Sequence, residues 1–271
     1  MKFLRIAVYC LAGGLVFLVG AQKGSYFSWW LAGILFATAF VPLALKGPKT
    51  VARQFGVILP VFLLVTVLCL WSEALIFTPM AQPHPVRDLV AESIMFTVFA
   101  AVLAGLAVLL KLPGGKDSVA EVRSPAAIAV LILICGCAYA FYYLVFGGIT
   151  YQFFTKQYYP DAPGQVMKLG AWFWPMQIGR GAVMTLAVLP VVRSVRLSRW
   201  KLAITLGLMI WIVGGLAPLV LPSAVMEPRQ RFIHVIEIFT QNFSLGVTAG
   251  WLLTKKRQSA ASPVSDAAVA A

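Results

Sequence analysis

The sequence predicts an all-α protein, a polytopic transmembrane helical bundle with about eight spans. Of its 271 residues, 61% are hydrophobic and 11% are charged, whereas soluble domains have about 45–50% apolar and about 25% charged residues. Apolar runs of about 20 residues, the length that crosses a hydrocarbon core about 30 Å thick, recur along the chain. Because these runs are continuous and do not alternate between apolar and polar residues, they indicate helices and not barrel strands.

Polar breaks divide the apolar runs into eight predicted spans. These are residues 3–20, 26–45, 57–77, 89–110, 126–146, 171–192, 202–221 and 232–253. Residues 1–253 are therefore predicted to form one transmembrane helical domain. Residues 254–271 are basic and then rich in Ala and Ser without helical periodicity, which predicts a disordered cytoplasmic tail. The first run also resembles a cleavable signal peptide, but a retained first helix is the preferred interpretation.

Basic residues divide the chain ends and loops into two alternating sets, with fifteen in one set and six in the other. Because Lys and Arg collect in short cytoplasmic loops, we expect the richer set, and with it both termini, in the cytoplasm. The richer set comprises Lys2, Arg5, Lys46, Lys49, Arg53, Lys111, Lys116, Arg123, Arg193, Arg196, Arg199, Lys201, Lys255, Lys256 and Arg257. Such scatter over short loops argues against a nucleic-acid partner despite the net charge of +13, since nucleic acid requires one basic surface.

Polar side chains inside the predicted spans are the main functional signal. An ionisable group at a helix centre in lipid costs roughly 2.5–3.5 kcal/mol, so each needs a partner or water. A rise of about 1.5 Å per residue places these side chains in the outer half of the bilayer or at its midplane. We therefore predict one polar cavity open to the external side, formed by Glu73, Glu92, Gln177, Arg180, His234, Glu237, Gln241 and Asn242.

Helical spacing predicts which of these groups meet. His234, Glu237 and Gln241 follow the i, i+3, i+7 spacing of a single helical face. Helical side chains lean toward the N-terminus, which directs Arg180 outward. We therefore expect an ion pair between Arg180 and either Glu237 or Glu73. The alternative interpretation is that these groups only hold helices together through interhelical polar contacts.

Other kinds of site have weaker support. A metal site needs about three protein ligands, and the chain has two histidines, so we expect no metal site and no cofactor. Cys135 and Cys137 lie about 200° apart around a helix and do not share a chelating face. Gly214, Gly215 and Pro218 predict a kink in span seven, which a bilayer tolerates only where neighbours or water satisfy the freed backbone groups.

Two segments carry a resemblance to other proteins. Residues 174–181 and 234–237, followed by Asn242, Phe243 and Gly246, resemble an uncharacterised group of polytopic inner-membrane proteins of bacteria. The resemblance extends over about residues 70–253. It implies a multi-pass protein of the bacterial inner membrane, with the lipid bilayer as its partner, and it implies no activity.

The sequence leaves three functions open. The preferred one is binding or transport of a small polar or anionic solute that enters from outside and meets Arg180. The second is an intramembrane enzyme that uses Glu237, His234 and Glu73 for acid-base or metal chemistry, which requires those groups to converge on one ligand-sized space. The third is a structural or accessory membrane subunit, whose polar groups would satisfy one another without a cavity.

Overall fold

The described residues form a bundle of long helices. A computed structural model describes residues 1–21, 25–77, 84–114, 123–158, 162–223 and 226–255. Within these ranges every regular element is helical, which confirms the all-α prediction. Seven helical stretches there are long and apolar enough to cross a membrane, and the chain is therefore a multi-pass membrane protein. They are Lys2–Gly20, Tyr26–Lys46, Val51–Ala74, Pro85–Leu109, Pro125–Thr155, Met167–Ser194 and Arg199–Val220.

The helices are numbered in chain order. The first six are α1 (Lys2–Phe17), α2 (Tyr26–Ala39), α3 (Val41–Lys46), α4 (Val51–Pro60), α5 (Leu70–Phe77) and α6 (Pro85–Leu109). The others are α7 (Pro125–Thr150), α8 (Ala162–Leu169), α9 (Phe173–Ser194), α10 (Arg199–Trp211), α11 (Ala217–Val220), α12 (Pro228–Ile238) and α13 (Ser244–Leu253). Within the described residues, π-helical segments occupy Val61–Cys69, Tyr151–Thr155, Ile212–Leu216 and Phe239–Phe243.

The first seven predicted spans coincide with the seven apolar helical stretches. The eighth falls on α12, the π-helical segment Phe239–Phe243 and α13, which follow one another without a break. Its polar side chains make it less apolar than the other seven. Span five continues past its predicted end at residue 146, because the helix runs through Thr155. The part of the predicted tail beyond Lys255 lies outside the described residues.

One half of the bundle has an apolar aromatic core. Phe17 of α1, Phe36 of α2, Phe96 and Phe99 of α6, and Phe62 of a π-helical segment are buried. Phe62 lies 5.0 Å from Phe96 and 5.6 Å from Phe99 between ring centroids, and Phe17 lies 5.2 Å from Phe36. Such distances are typical of packed aromatic pairs. These rings form part of the hydrophobic core, and the π-helical segment that carries Phe62 also contributes Val65 and Cys69 to the polar site.

Loops that carry the richer set of basic residues meet at one end of the bundle. The backbone N–H of Gly114 donates to Leu45 O at 3.1 Å, and that of Arg196 donates to Lys46 O at 3.0 Å. Arg123 Nε donates to Leu252 O at 2.6 Å, near the end of α13. These bonds involve the ends of five helices, α3, α6, α7, α9 and α13, as the alternation of loops requires.

Candidate functional site

Arg180 is the centre of a buried polar cluster. It lies on α9, and its side chain is 8% exposed. Its Nη2 donates to Glu73 Oε2 at 2.6 Å, and its Nη1 donates to Gln177 Oε1 at 3.1 Å. The predicted ion pair is therefore present, and Glu73 is the partner. Glu73 itself is 31% exposed, so the pair lies between a buried cation and a partly accessible carboxylate.

Close packing of α7 against α9 places two tyrosines beside Arg180. A Cβ added at Gly136 would lie 2.5 Å from Ile178 O, so only a glycine permits this approach. Tyr139 and Tyr143 are on the same face of α7, one turn apart, and Arg180 Cζ lies 5.8 and 5.9 Å from their ring centroids. Both distances are within the range of a cation–π interaction.

Residues of the eighth predicted span form a second polar group next to the first. His234 Nδ1 lies 2.9 Å from Glu237 Oε2, and Gln241 Nε2 donates to Glu237 Oε1 at 3.3 Å. The helical face predicted from their spacing is thus present. Gly147 of α7 lies against this face, because a Cβ added there would be 3.4 Å from Glu237 Oε1 and from Gln241 Nε2. Glu237 contacts these neighbours and is not the acceptor of Arg180.

Side chains from two other predicted spans donate hydrogen bonds to backbone carbonyls at the break in span seven. Pro218 has no N–H, so it cannot donate to Gly214 O, four residues back, or to Val213 O, five residues back. Thr66 Oγ1 donates to Val213 O at 2.9 Å, and Asn242 Nδ2 donates to Gly214 O at 3.5 Å. Both carbonyls that the missing N–H of Pro218 could have reached therefore obtain partners from neighbouring helices, as the bilayer requires.

A small cavity lies between these groups. Its polar lining comprises Glu73, Tyr139, Arg180, Gln241 and Asn242. The centre of a water molecule has about 10 Å³ in which to move, which is room for about one water. Three of the π-helical segments contribute lining residues, namely those at 61–69, 212–216 and 239–243. π-helical turns occur frequently at functional sites.

Two buried donors at the cluster have no acceptor among the described residues. They are Arg180 Nε and Gln177 Nε2. Buried polar atoms in folded proteins nearly always have a partner, and a donor that lacks one costs about 1–3 kcal/mol. Since the charge of Arg180 is positive, the partner best suited to these two donors is a hydrogen-bond acceptor, neutral or anionic.

The structure separates Glu92 from the other predicted site residues. Glu92 is on an exposed face of α6 and does not line the cavity. Six of the remaining seven lie in the two polar groups around Arg180 and around Glu237, and Asn242 lines the cavity. Within the described residues, no group of three or more His, Cys, Asp or Glu is placed to hold a metal ion. Cys135 is buried and Cys137 exposed, so they do not face one partner.

Three residues that complete the site are not predicted from the sequence. Tyr139 and Tyr143 are four residues apart in span five, a spacing that places both on one helical face. The sequence indicates Thr66 only indirectly, since the kink predicted at Pro218 leaves a backbone carbonyl that needs a hydrogen-bond donor from a neighbouring helix. Tyr139, Tyr143 and Thr66 are neutral at pH 7, so they lack the charge that marks a side chain within a span as unusual.

Residues 174–181 and 234–237 contribute four of the site residues. Gln177 and Arg180 belong to the first segment, and His234 and Glu237 belong to the second. The structure thus brings together the polar residues of both segments. Comparison of the chain with protein-family models, with curated proteins and with solved structures finds no match.

Proposed function

We propose that this chain is an eight-span protein of the bacterial inner membrane that binds or transports a small polar or anionic solute. In this proposal the solute reaches Arg180 from the external side. The observation that carries it is the pair of buried donors without a protein acceptor, Arg180 Nε and Gln177 Nε2. They lie at a guanidinium group whose geometry matches carboxylates and related planar anions.

Support for the eighth span comes from its length. Pro228–Leu253 holds 26 helical residues, which reach about 39 Å at about 1.5 Å per residue and exceed the hydrocarbon thickness. Among the polar residues that lower its hydropathy, Glu237 and Gln241 lie against Gly147 of span five, and Asn242 donates to Gly214 O of span seven. An even number of spans agrees with two cytoplasmic termini, and the meeting of the basic loops at one end supports the same arrangement.

The cavity has to enlarge before it admits anything larger than water. The partial exposure of Glu73 marks the side from which it would open. The three π-helical segments around it are the natural places for movement, because their hydrogen-bond pattern already departs from that of an α-helix. We therefore assign the described conformation to a closed form of the proposed binding site.

A structural or accessory subunit is the second candidate. The size of the cavity favours it, because groups that only hold helices together need no space for a solute. In that case Arg180 and Glu73 would act as an interhelical contact and nothing more. The two candidates differ in whether an external reagent reaches the residues around Arg180.

Cysteine accessibility tests this difference. The four native cysteines are replaced by alanine, and single cysteines are placed at Gln177, Gln241 and Asn242. A membrane-impermeant thiol reagent is then added outside intact cells. Gly164, which is exposed, provides the reactive control, and Ala203, which is fully buried, provides the protected control. Labelling at the three site positions is expected, because the proposed site opens to the external side and the reagent reacts irreversibly each time it does. Protection at all three, with Gly164 labelled, supports the accessory role and rejects the cavity.

A ligand measurement tests the chemistry of the solute. Nitrate and acetate are small planar anions. We expect either of them to slow the labelling of a single cysteine at position 241 in the protein that lacks the four native cysteines. The Arg180→Gln variant should lose this protection, because it removes the cation and the unpaired Nε–H. Equal protection of the wild type and the variant would reject Arg180 as the binding group.

A further inference from the structure

Two arginines meet at the end of α13, far along the chain from the cavity residues. Arg199 Nε and Nη2 both donate to Trp251 O, at 3.0 and 2.6 Å. Arg123 Nε donates to Leu252 O at 2.6 Å. These acceptors are consecutive carbonyls in the last turn of the helix, so the two guanidinium groups are neighbours. We propose that Arg123 and Arg199 bind the phosphate of an anionic phospholipid.

The carbonyl end of a helix attracts cations, but it does not use all the donors of two arginines. Arg199 has Nη1 left, and Arg123 has both Nη groups left, without a hydrogen bond to any described residue. Guanidinium donors match phosphate oxygens in a forked, charge-assisted geometry. Two neighbouring guanidinium groups with free N–H donors can therefore bind the oxygens of one phosphate group.

No carboxylate among the described residues neutralises this pair. The described acidic residues lie in or near the polar cluster or at the opposite end of the bundle, and they are Glu73, Asp88, Glu92, Glu227 and Glu237. Asp117 and Glu121 belong to the part of the chain outside the described residues. Like charges held side by side repel each other, and a phosphate anion between them removes that repulsion.

Tryptophans beside the arginines favour a lipid over a soluble anion. The Arg199 guanidinium lies 3.6 Å from the centroid of the Trp251 ring. Trp200 packs on Trp251 at 4.3 Å between centroids, yet its side chain is 59% exposed. Tryptophan collects at the level of the lipid headgroups, so the arginines are at the depth of lipid phosphates. Basic pockets between helices are known to bind anionic headgroups.

Discrete lipid binding tests the proposal. The full chain is purified in a neutral detergent, and bound phosphatidylglycerol and phosphatidylcholine are counted by native mass spectrometry over a titration. Wild type is expected to retain phosphatidylglycerol preferentially. The double variant R123Q/R199Q should bind it about 30-fold more weakly, which is the effect of two arginines at roughly 1 kcal/mol each. Inorganic phosphate, added together with the lipid, should not displace phosphatidylglycerol, and displacement would show that the arginines bind a soluble anion instead.

Lys2 and Arg5 provide the matched control. They carry the same two charges at the same end of the bundle, at the exposed start of α1. Charges more than about 10 Å from a bound phosphate are largely screened in ordinary salt, so K2Q/R5Q should change phosphatidylglycerol affinity less than about twofold. An equal loss in both double variants would overturn the site, since it would show attraction by net charge alone.

A further variant keeps the test decisive if R123Q/R199Q does not fold. R123K/R199K retains both charges and loses the forked donors. The site predicts weaker retention of phosphatidylglycerol by this variant, and its thermal unfolding in detergent without added lipid shows whether it is folded. If its retention equals that of wild type, or if phosphatidylcholine binds as well as phosphatidylglycerol, the arginines only cap α13 and the proposal is wrong.

Discussion

Replacing Glu73 should destabilise the protein more than replacing Arg180, its partner in the ion pair. Loss of one member of a fully buried ion pair costs about 3–5 kcal/mol, because the other charge is left without compensation. In Glu73→Gln the stranded charge is Arg180, which is 8% exposed. Tyr139 and Tyr143 compensate part of this loss, since each cation–π contact is worth about 0.5–2 kcal/mol. We therefore expect Glu73→Gln to lower the free energy of unfolding by about 3 kcal/mol.

Arg180→Gln should be the milder change. It strands Glu73, which is 31% exposed and can be hydrated, so the expected loss is about 1–2 kcal/mol. In the double variant both groups are neutral and the amides can bond to each other. Its loss should be smaller than that of Glu73→Gln alone, which gives a coupling of about 2 kcal/mol.

The assay is unfolding by a denaturing detergent, followed by circular dichroism, for the two single variants and the double variant. Glu92→Gln is the matched control, because Glu92 is exposed, and its effect should be within about 0.5 kcal/mol. A greater loss of stability in Arg180→Gln than in Glu73→Gln would refute this assignment of the buried and the accessible partner. Losses that simply add in the double variant would also refute it, since additivity would mean that the pair makes no energetic contribution.

Three further predictions concern packing, the proline break and topology. Gly136→Ala should destabilise the protein by about 1–3 kcal/mol through its clash with α9, whereas Gly179→Ala, whose Cβ meets open space, should be neutral or slightly stabilising in the same thermal-unfolding assay. Thr66→Val should cost about 1–2 kcal/mol by leaving a carbonyl of span seven without its donor. Thr97→Val is the control, because its hydroxyl donates to Ser93 O within its own helix; equal losses would contradict the assignment. Green fluorescent protein fused after Ala271 should fluoresce if the C-terminus is cytoplasmic, and a dark fusion that reaches the membrane would refute this topology.

Much of the bundle follows from properties of single helices. Each of the first seven spans consists of one apolar run, and the lipid requires such a run to satisfy its backbone internally. The helical faces of Gln177 and Arg180, and of His234, Glu237 and Gln241, follow from periodicity in the same way. Span five ends later than predicted, because the helix continues over Gly147 and Gly148, which pattern alone does not identify as helical.

The composition of the cluster depends on more than one helix. Periodicity allowed either Glu73 or Glu237 as the partner of Arg180, and the choice follows from how α5, α9 and α12 are rotated about their axes. Close approach at Gly136 brings Tyr139 and Tyr143 to the guanidinium group, a contact that no spacing within one span reveals. Glu92 shows the same limit, since its depth matches the cluster but its helical face points away from it.

The sequence by itself determined that the protein is a multi-pass helical bundle, that its basic residues divide between alternating loops, and that Arg180 needs a carboxylate. These properties depend on hydropathy, charge and the 3.6-residue period, which are local. Only the tertiary structure decided that Glu73 is that carboxylate, that Thr66 and Asn242 satisfy the carbonyls freed by Pro218, and that the cavity holds about one water. Those outcomes depend on the rotation and separation of neighbouring helices, and packing between distant segments sets both.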